Sequence, residues 1–472
     1  MRYITRTIAL SLFLVTIYLL YLSNHLPKLS DFGYLHSSPH NDSLHFANIQ
    51  PLWSRWSKIF HDARPRAKHI RLSSNAHITA ISADDPDPRE APLNRVANSD
   101  ADIESLRLAH ATVLEALRAE EFEEHIFSGR GIVTVGGGEY FGPIIVGLHM
   151  LRKTGCELPV EIFVADESEY EPELCDVYLP KLGAKCLVIS TFLQGGTGHK
   201  FKVTHYQLKS LAMLFSSFEE ILYLDSDSIP LLDPTTALFP ISLYQISGLV
   251  IWPDFWIATE SPLFYTIAGL SSFPSTLPKS SSEAGQLLMN KKTHLKVLLL
   301  AVYYNLHGPE YYYPLLSQGV MGQGDKETFM AAALVMNDGY YRVKTGVASV
   351  GRWDGREDRG SGMIQYHPLD DFQGQNVSDI EREATPMFLH ANTPKMNAGH
   401  LVDEGDLVSV KGEHLRLWGE QKLQIEIFGK DLEKSVWEIL VQTGCELERI
   451  LEEWKGRKDM CPRLQEHWKE VF

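Results

Sequence analysis

Apolar and polar positions change period several times along this 472-residue chain. Thr7 to Ser23 is uncharged and rich in Leu, Ile, Val, Phe and Tyr. It sits at the short end of the roughly 17–25 residues that span a bilayer. Asn24 to Asn98 has no sustained period and is crowded with Ser, Pro, Asp, Asn, His and Arg. Such composition cannot bury enough apolar surface to offset ordering entropy, which predicts a disordered spacer. Trp53, Trp56, Ile59 and Phe60 suggest one short helix inside it.

Order is expected from about Ser99. Ile103, Leu106, His110, Val113, Leu114 and Leu117 recur at helical spacing behind the candidate caps Asp100 and Asp102. Beyond them strand and helix patterns alternate. Strands are predicted at Gly131–Val135, Val160–Val164, Cys186–Ile189, Ile221–Leu224 and Leu249–Trp252. Helices are predicted at Pro143–Lys153, near Pro172–Leu182, at Tyr206–Phe218 and, amphipathic, at Leu432–Trp454. Strands joined by crossover helices imply an α/β fold with a mainly parallel central sheet.

The flanks of the apolar run decide how it is read. A cleaved leader usually ends in small residues, whereas Tyr18, Tyr21 and Leu22 stand here. An uncleaved signal anchor, a transmembrane helix over 7–23, is therefore expected. Arg2 and Arg6 before it outweigh Lys28 after it, which leaves residues 1–6 cytoplasmic and the remainder lumenal. A short span suits early secretory membranes. The expected layout is then a stem over 24–98, a catalytic domain over 99–400 and a helical extension over 401–472 packed on it.

Net charge is -16, against the basic face that nucleic acid requires. Five cysteines in an oxidising lumen should partly pair. Cys445 with Cys461 would staple the C-terminal helices, and a pair is expected among Cys156, Cys175 and Cys186. No Cys-X-X-Cys occurs, which argues against zinc. Glycosylation sequons begin at Asn41 and Asn376.

The candidate chemistry lies at Asp225-Ser-Asp227. The same spacing at Asp85-Pro-Asp87 and Asp100-Ala-Asp102 follows no apolar strand. Two adjacent carboxylates at a buried strand end repel and are costly to desolvate. A divalent ion compensates both, and hard oxygen ligands suit Mg²⁺ or Mn²⁺. His390 follows apolar Met387–Leu389 in the same kind of strand-end position and is a candidate third ligand. Gly136, Gly137 and Gly138 follow the first strand and could admit a nucleotide, or form a plain turn. Lys209 precedes the acidic strand and faces either a donor or the core edge; Lys395 could reach a diphosphate. Asp325 and Glu327 follow glycine-rich 319–324 and could approach a sugar hydroxyl or cap the next helix. Aromatics at Trp252, Phe255, Trp256 and Tyr303, Tyr304, Tyr311–Tyr313 suit either a sugar-stacking groove or the core.

Several of these stretches together carry a resemblance. Gly131–Gly138, Leu151–Val164, Lys209–Asp227, Glu283–Lys291, Gly324–Phe329 and Phe388–Lys395 resemble, in order, the fungal Golgi α-mannosyltransferases of glycosyltransferase family 71. The resemblance covers about Ser99 to Lys395 and weakens after Gly399. It implies a GT-A-like nucleotide-sugar fold, Asp225, Asp227 and His390 around Mn²⁺ or Mg²⁺, and GDP-mannose as donor. It also implies retention of configuration in an α-1,2 or α-1,3 linkage to a mannose-containing glycan, with Asp325 at the donor sugar. Gln286 and Glu283 would lie near the acceptor or the β-face of that sugar. Residence in the Golgi membrane and membership of a mannosyltransferase complex are further expectations. A UDP-sugar transferase and a non-catalytic lumenal glycan-binding protein are the alternatives. The stretch Met363–Pro368 resembles the family too, without an evident role.

Overall fold

A computed structural model describes residues 39–81, 90–123, 125–194, 201–274, 276–320, 322–370 and 384–472. The expected span over 7–23 and the Asn376 sequon lie outside these residues, as does the side chain of Asn41. No described helix is long and apolar enough to cross a membrane. Helices α1 (Pro39–Asp62) and α2 (Asp100–Ala119) precede strand β1 (Arg130–Val135), helix α3 (Phe141–Lys153), and strands β2 (Val160–Val164) and β3 (Ala184–Val188). Then come α4 (Gln207–Phe215), β4 (Glu220–Leu224), β5 (Ser228–Pro230), β6 (Leu249–Ile257), β7 (Ser280–Asn290), α5 (Lys291–Leu306) and α6 (Thr328–Met336). Strands β8 (Tyr341–Arg342), β9 (Ala348–Trp353), β10 (Asp358–Tyr366) and β11 (Pro386–His390) follow, and α7 (Leu432–Leu447) and α8 (Met460–Val471) close the chain.

The main sheet has the order β3-β2-β1-β4-β7-β6-β8. β3, β2, β1 and β4 run parallel, while β7 lies antiparallel between β4 and β6. Every residue of β2 and β4 is buried, as expected for strands covered on both faces. The expected α/β fold with a mainly parallel sheet is therefore present. β7 was not anticipated: Ser280–Gly285 carries no apolar alternation, so nothing in its pattern marks it as a central strand. A second, antiparallel sheet has the order β5-β11-β10-β9. In it Met363 stands opposite His390, which gives the unexplained stretch Met363–Pro368 its role as the strand that holds the histidine strand.

The expected spacer is corrected from residue 47 onward. Ala47–Phe472 forms a single compact unit. Ile49, Leu52, Trp53, Trp56 and Phe60 recur on one face of α1 and are buried. Trp53 meets Phe215 edge-on at 5.2 Å, and Phe60 lies 5.8 Å from Tyr303. Beyond α1, Ala80 bridges to Trp256, and Ala76 N–H donates to Gln318 O at 2.8 Å. A short segment with bulky aromatics folds by borrowing a core built elsewhere in the chain. Two helical expectations are also revised. Glu173–Leu182 is a π turn followed by a 3₁₀ turn, the latter carrying Pro180 near its start, and α7 ends at Leu447. Disulfides join Cys175 to Cys186 and Cys445 to Cys461, leaving Cys156 buried and unbridged. The second bridge staples α7 to α8. Tyr303, Tyr304 and Tyr311–Tyr313 are core residues, as is Trp252, so the groove reading is discarded for them.

Candidate active site

The carboxyl end of β4 positions the acidic pair. Asp225 leaves the strand with its N–H on Gly285 O at 2.8 Å, and Ser228 N–H returns to Asp225 O at 3.0 Å. This tight turn passes the chain from the main sheet into β5. β11 lies beside β5, with His390 opposite Ser228, so its terminal residue reaches the same point. Ligand atoms of Asp225, Asp227 and His390 lie within 4.8 Å of one another.

Burial differs sharply within the pair. The Asp225 side chain is 31% exposed and the Asp227 side chain 2%. Asp227 Oδ1 lies 3.1 Å from His390 Nε2, and its Oδ2 pairs with Lys395 Nζ. Burial opposes the charge on Asp227, but His390 and Lys395 outweigh it and hold the carboxyl well below its usual range. His390 keeps 12% of its side chain exposed, and its partial burial disfavours the imidazolium; Asp227 and Glu283 overcome this and raise its pKa. Glu283 Oε1 stands 3.4 Å from His390 Nδ1. A carboxylate behind the second ring nitrogen is the arrangement that orients a metal-ligating histidine. Two carboxylate oxygens and one imidazole nitrogen, backed in this way, are compatible with a divalent cation.

Lys209, on α4, is buried and faces Asp225 Oδ1 at 3.2 Å, Asp325 Oδ2 at 3.1 Å and Ala284 O at 2.6 Å. Burial opposes its charge, yet Asp225, Asp325 and Glu283 raise its pKa. Asp325 is pushed the other way, upward, by burial and by Asp225, against the pull of Lys209. Gln286, fully buried on β7, bonds Glu283 through Nε2 and accepts from Ser228 Oγ at 3.4 Å. Lys395 approaches from the segment after β11, its Nζ 5.8 Å from the centre of the Tyr140 ring.

The glycine loop lies beside this cluster at the end of β1. A Cβ on Gly136 would come within 2.8 Å of Ile162 and 2.9 Å of Ile144. Gly137 has φ +110°, where only glycine is unstrained. A Cβ at Gly138 would meet nothing, so the open face of the loop begins there. Glu327 does not join the others. Its carboxylate accepts from Ser282 N–H at 2.8 Å and Ser282 Oγ at 3.2 Å. Burial and the neighbouring Glu260 raise its pKa to about 7.

Sequence reasoning missed two contributors. Tyr223 donates from its hydroxyl to Asp225 Oδ1 at 2.8 Å. Its place two residues before Asp225 on a strand was a usable signal, since such positions share a face. Tyr140, next to Lys395, had no sequence signal beyond its nearness to the glycines.

A model of a mannosyltransferase family matches residues 129–280 and 270–373. The α-1,2-mannosyltransferase MNN21 of Candida albicans is 32% identical over 87% of this chain and 73% of its own length. The chain belongs to this mannosyltransferase family. It is accordingly a glycosyltransferase. MNN2 of Candida albicans is 35% identical over 67% of this chain and 58% of that protein, and MNN2 of Saccharomyces cerevisiae 36% over 59% and 52%. The chain thus spans just over half the length of these two mannosyltransferases. Among solved structures, the glycosyltransferase GlyE of Streptococcus pneumoniae aligns over 72% of this chain and 64% of its own, at 16% identity and TM-score 0.34. The galactosyltransferase LgtC aligns over 45% and 73%, at 15% identity and TM-score 0.29.

Proposed function

We propose that this glycosyltransferase moves mannose from GDP-mannose to a mannose hydroxyl of a glycan, with retention, in an α-1,2 linkage. Relatives named α-1,2-mannosyltransferases support the sugar and the linkage. The observation that carries the reading is the convergence of Asp225, Asp227 and His390 at the mouth of β4. Asp225, Asp227 and His390 would hold Mn²⁺ or Mg²⁺, which when bound supplies positive charge for the departing diphosphate. Lys395, paired with Asp227 and lying over the Tyr140 ring, adds a second cation. Asp325, pinned by Lys209, presents a carboxyl to the donor sugar. Glu283 is held by Gly285 N–H, Gln286 and His390, so it serves to orient the histidine rather than to attack. Front-face attack by the acceptor hydroxyl, with its proton passing to the departing phosphate oxygen, needs no protein nucleophile. The apolar run over 7–23 supports a Golgi-membrane setting with the catalytic unit lumenal. A donor panel with the purified chain tests the proposal. Mannose transfer from GDP-mannose, dependent on added Mn²⁺ or Mg²⁺, is expected; faster transfer from a UDP-sugar, or metal-independent turnover, would refute it.

A further inference from the structure

Asn397 lies beyond the family-matched residues 129–373 and is 1% exposed. Its amide is fully engaged. Oδ1 accepts from Gly399 N–H at 3.0 Å, His400 N–H at 3.3 Å and Trp454 Nε1–H at 3.0 Å. Nδ2 donates to Glu139 O at 2.8 Å and to Glu453 Oε2 at 2.9 Å. Its own backbone N–H donates to Lys395 O at 2.7 Å.

These partners come from three places. Glu139 belongs to the glycine loop, directly before Tyr140. Lys395 carries the ammonium that pairs with Asp227. Glu453 and Trp454 belong to the C-terminal extension, and Arg457 and His400 in turn hold Glu453 at 2.8 Å and 2.7 Å. The packing leaves no slack: a Cβ on Gly142, at the start of α3, would lie 3.1 Å from both Asn397 Cγ and Trp454 Cζ2. A buried, fully satisfied polar hub fixes one arrangement of the segments it joins.

We propose that Asn397 is a positioning residue that fastens the glycine loop and the Lys395 segment to residues 453–454, so that the C-terminal extension completes the donor site. The inference rests on the donor reading above. It assigns a catalytic consequence to a part of the chain that carries no ligand of its own. Displacement of a binding loop by about 1 Å can cost two orders of magnitude in rate.

The test compares Asn397→Asp and Trp454→Phe with the unaltered 472-residue chain. Asn397→Asp keeps an acceptor for three N–H groups but sets a carboxylate against Glu139 O and Glu453. Trp454→Phe keeps one aromatic ring, and loses the pyrrole half of the indole with its N–H donor. GDP binding in Mn²⁺ is measured calorimetrically, with separate KM values for GDP-mannose and for a mannobiose acceptor. Asn397→Asp should weaken GDP and raise the donor KM at least tenfold, leaving the acceptor KM within twofold; Trp454→Phe should give a smaller shift in the same direction. Purely structural loss would lower the active fraction and leave the donor KM unchanged. A folded Asn397→Asp chain with the original donor KM and GDP affinity overturns the inference. If that variant does not fold, an unchanged Trp454→Phe chain overturns it instead. Failure of the unaltered chain to bind GDP sinks the donor assignment and this inference together; normal binding with unaffected variants sinks the inference alone.

Discussion

Lys209→Met is the substitution whose outcome follows most directly from the structure. Lys209 is the cation between Asp225 and Asp325, at 3.2 Å and 3.1 Å. Methionine keeps an unbranched side chain, shorter by the ammonium nitrogen, and deletes its charge. Opposite unit charges about 3 Å apart attract by roughly 5 kcal/mol at an effective dielectric constant near 20. The buried Asp325 should feel most of this, whereas the pair with the partly exposed Asp225 is screened and counts for much less. Removing a lysine from burial returns some desolvation energy, which offsets part of the loss. Breaking a buried pair from one side leaves a net cost of about 3–5 kcal/mol. Urea unfolding at neutral pH measures it through the midpoint, with the slope checked for constancy. Lys209→Met combined with Asp325→Asn removes the orphaned charge as well, and should recover about half of the deficit. Loss below about 1 kcal/mol in the single variant, or a double variant no more stable than the single, would refute the reasoning.

Other expectations are independent of that cycle. Asp227→Ala should cut metal-dependent release of GDP from GDP-mannose by about a hundredfold or more while circular dichroism stays unchanged; activity equal to the parent chain in Mn²⁺ would remove Asp227 from the metal site. Glu327 carries a pKa raised from the usual 4.5 to about 7 by burial and Glu260. The folded chain therefore keeps a proton that the unfolded chain has already shed. Glu327 should contribute a fall in stability of about 3 kcal/mol as pH rises from about 4.5 to about 7, and that contribution should be missing from the profile of Glu327→Gln when it is subtracted from the parent profile. Urea midpoints of Glu327→Gln that run parallel to those of the parent chain across this range would contradict the assignment. Cys445→Ser opens a bridge across a sequence separation of 16. The chain should lose about 3 kcal/mol by the loop-entropy rule, and hydrogen exchange should rise first in the last helix.

The α/β alternation was legible because each strand of the parallel half is a short apolar run bounded by turn residues. Val160–Val164 coincides with its predicted bounds, and β1 and β4 begin only one residue earlier than predicted. Asp225 and Asp227 were legible for the same reason: a carboxylate directly after a buried strand is a local contradiction visible in the chain itself. β7 was not, because Ser280–Gly285 is polar yet buried, and its burial depends on neighbours supplied by β4 and β6. The segment from residue 47 to 98 was misjudged for the complementary reason. Its composition is that of a spacer, and its few large aromatics find their core in distant parts of the chain: α4, α5, Phe122 and Phe201.

The residues alone determined which groups are available to the site: two aspartates at fixed spacing, a histidine after an apolar run, and lysines nearby. Their meeting was decided by tertiary structure. His390 reaches Asp227 because β11 pairs with β5, and Met363 on β10 holds β11 in place. Glu283 stands behind that histidine because β7 runs antiparallel beside β4. Asn397 joins the glycine loop to Trp454 across segments far apart in sequence. Local pattern encodes periodicity and turn chemistry, which act over a few residues. Register between distant strands, and the charges they bring into contact, are set by packing of the whole chain.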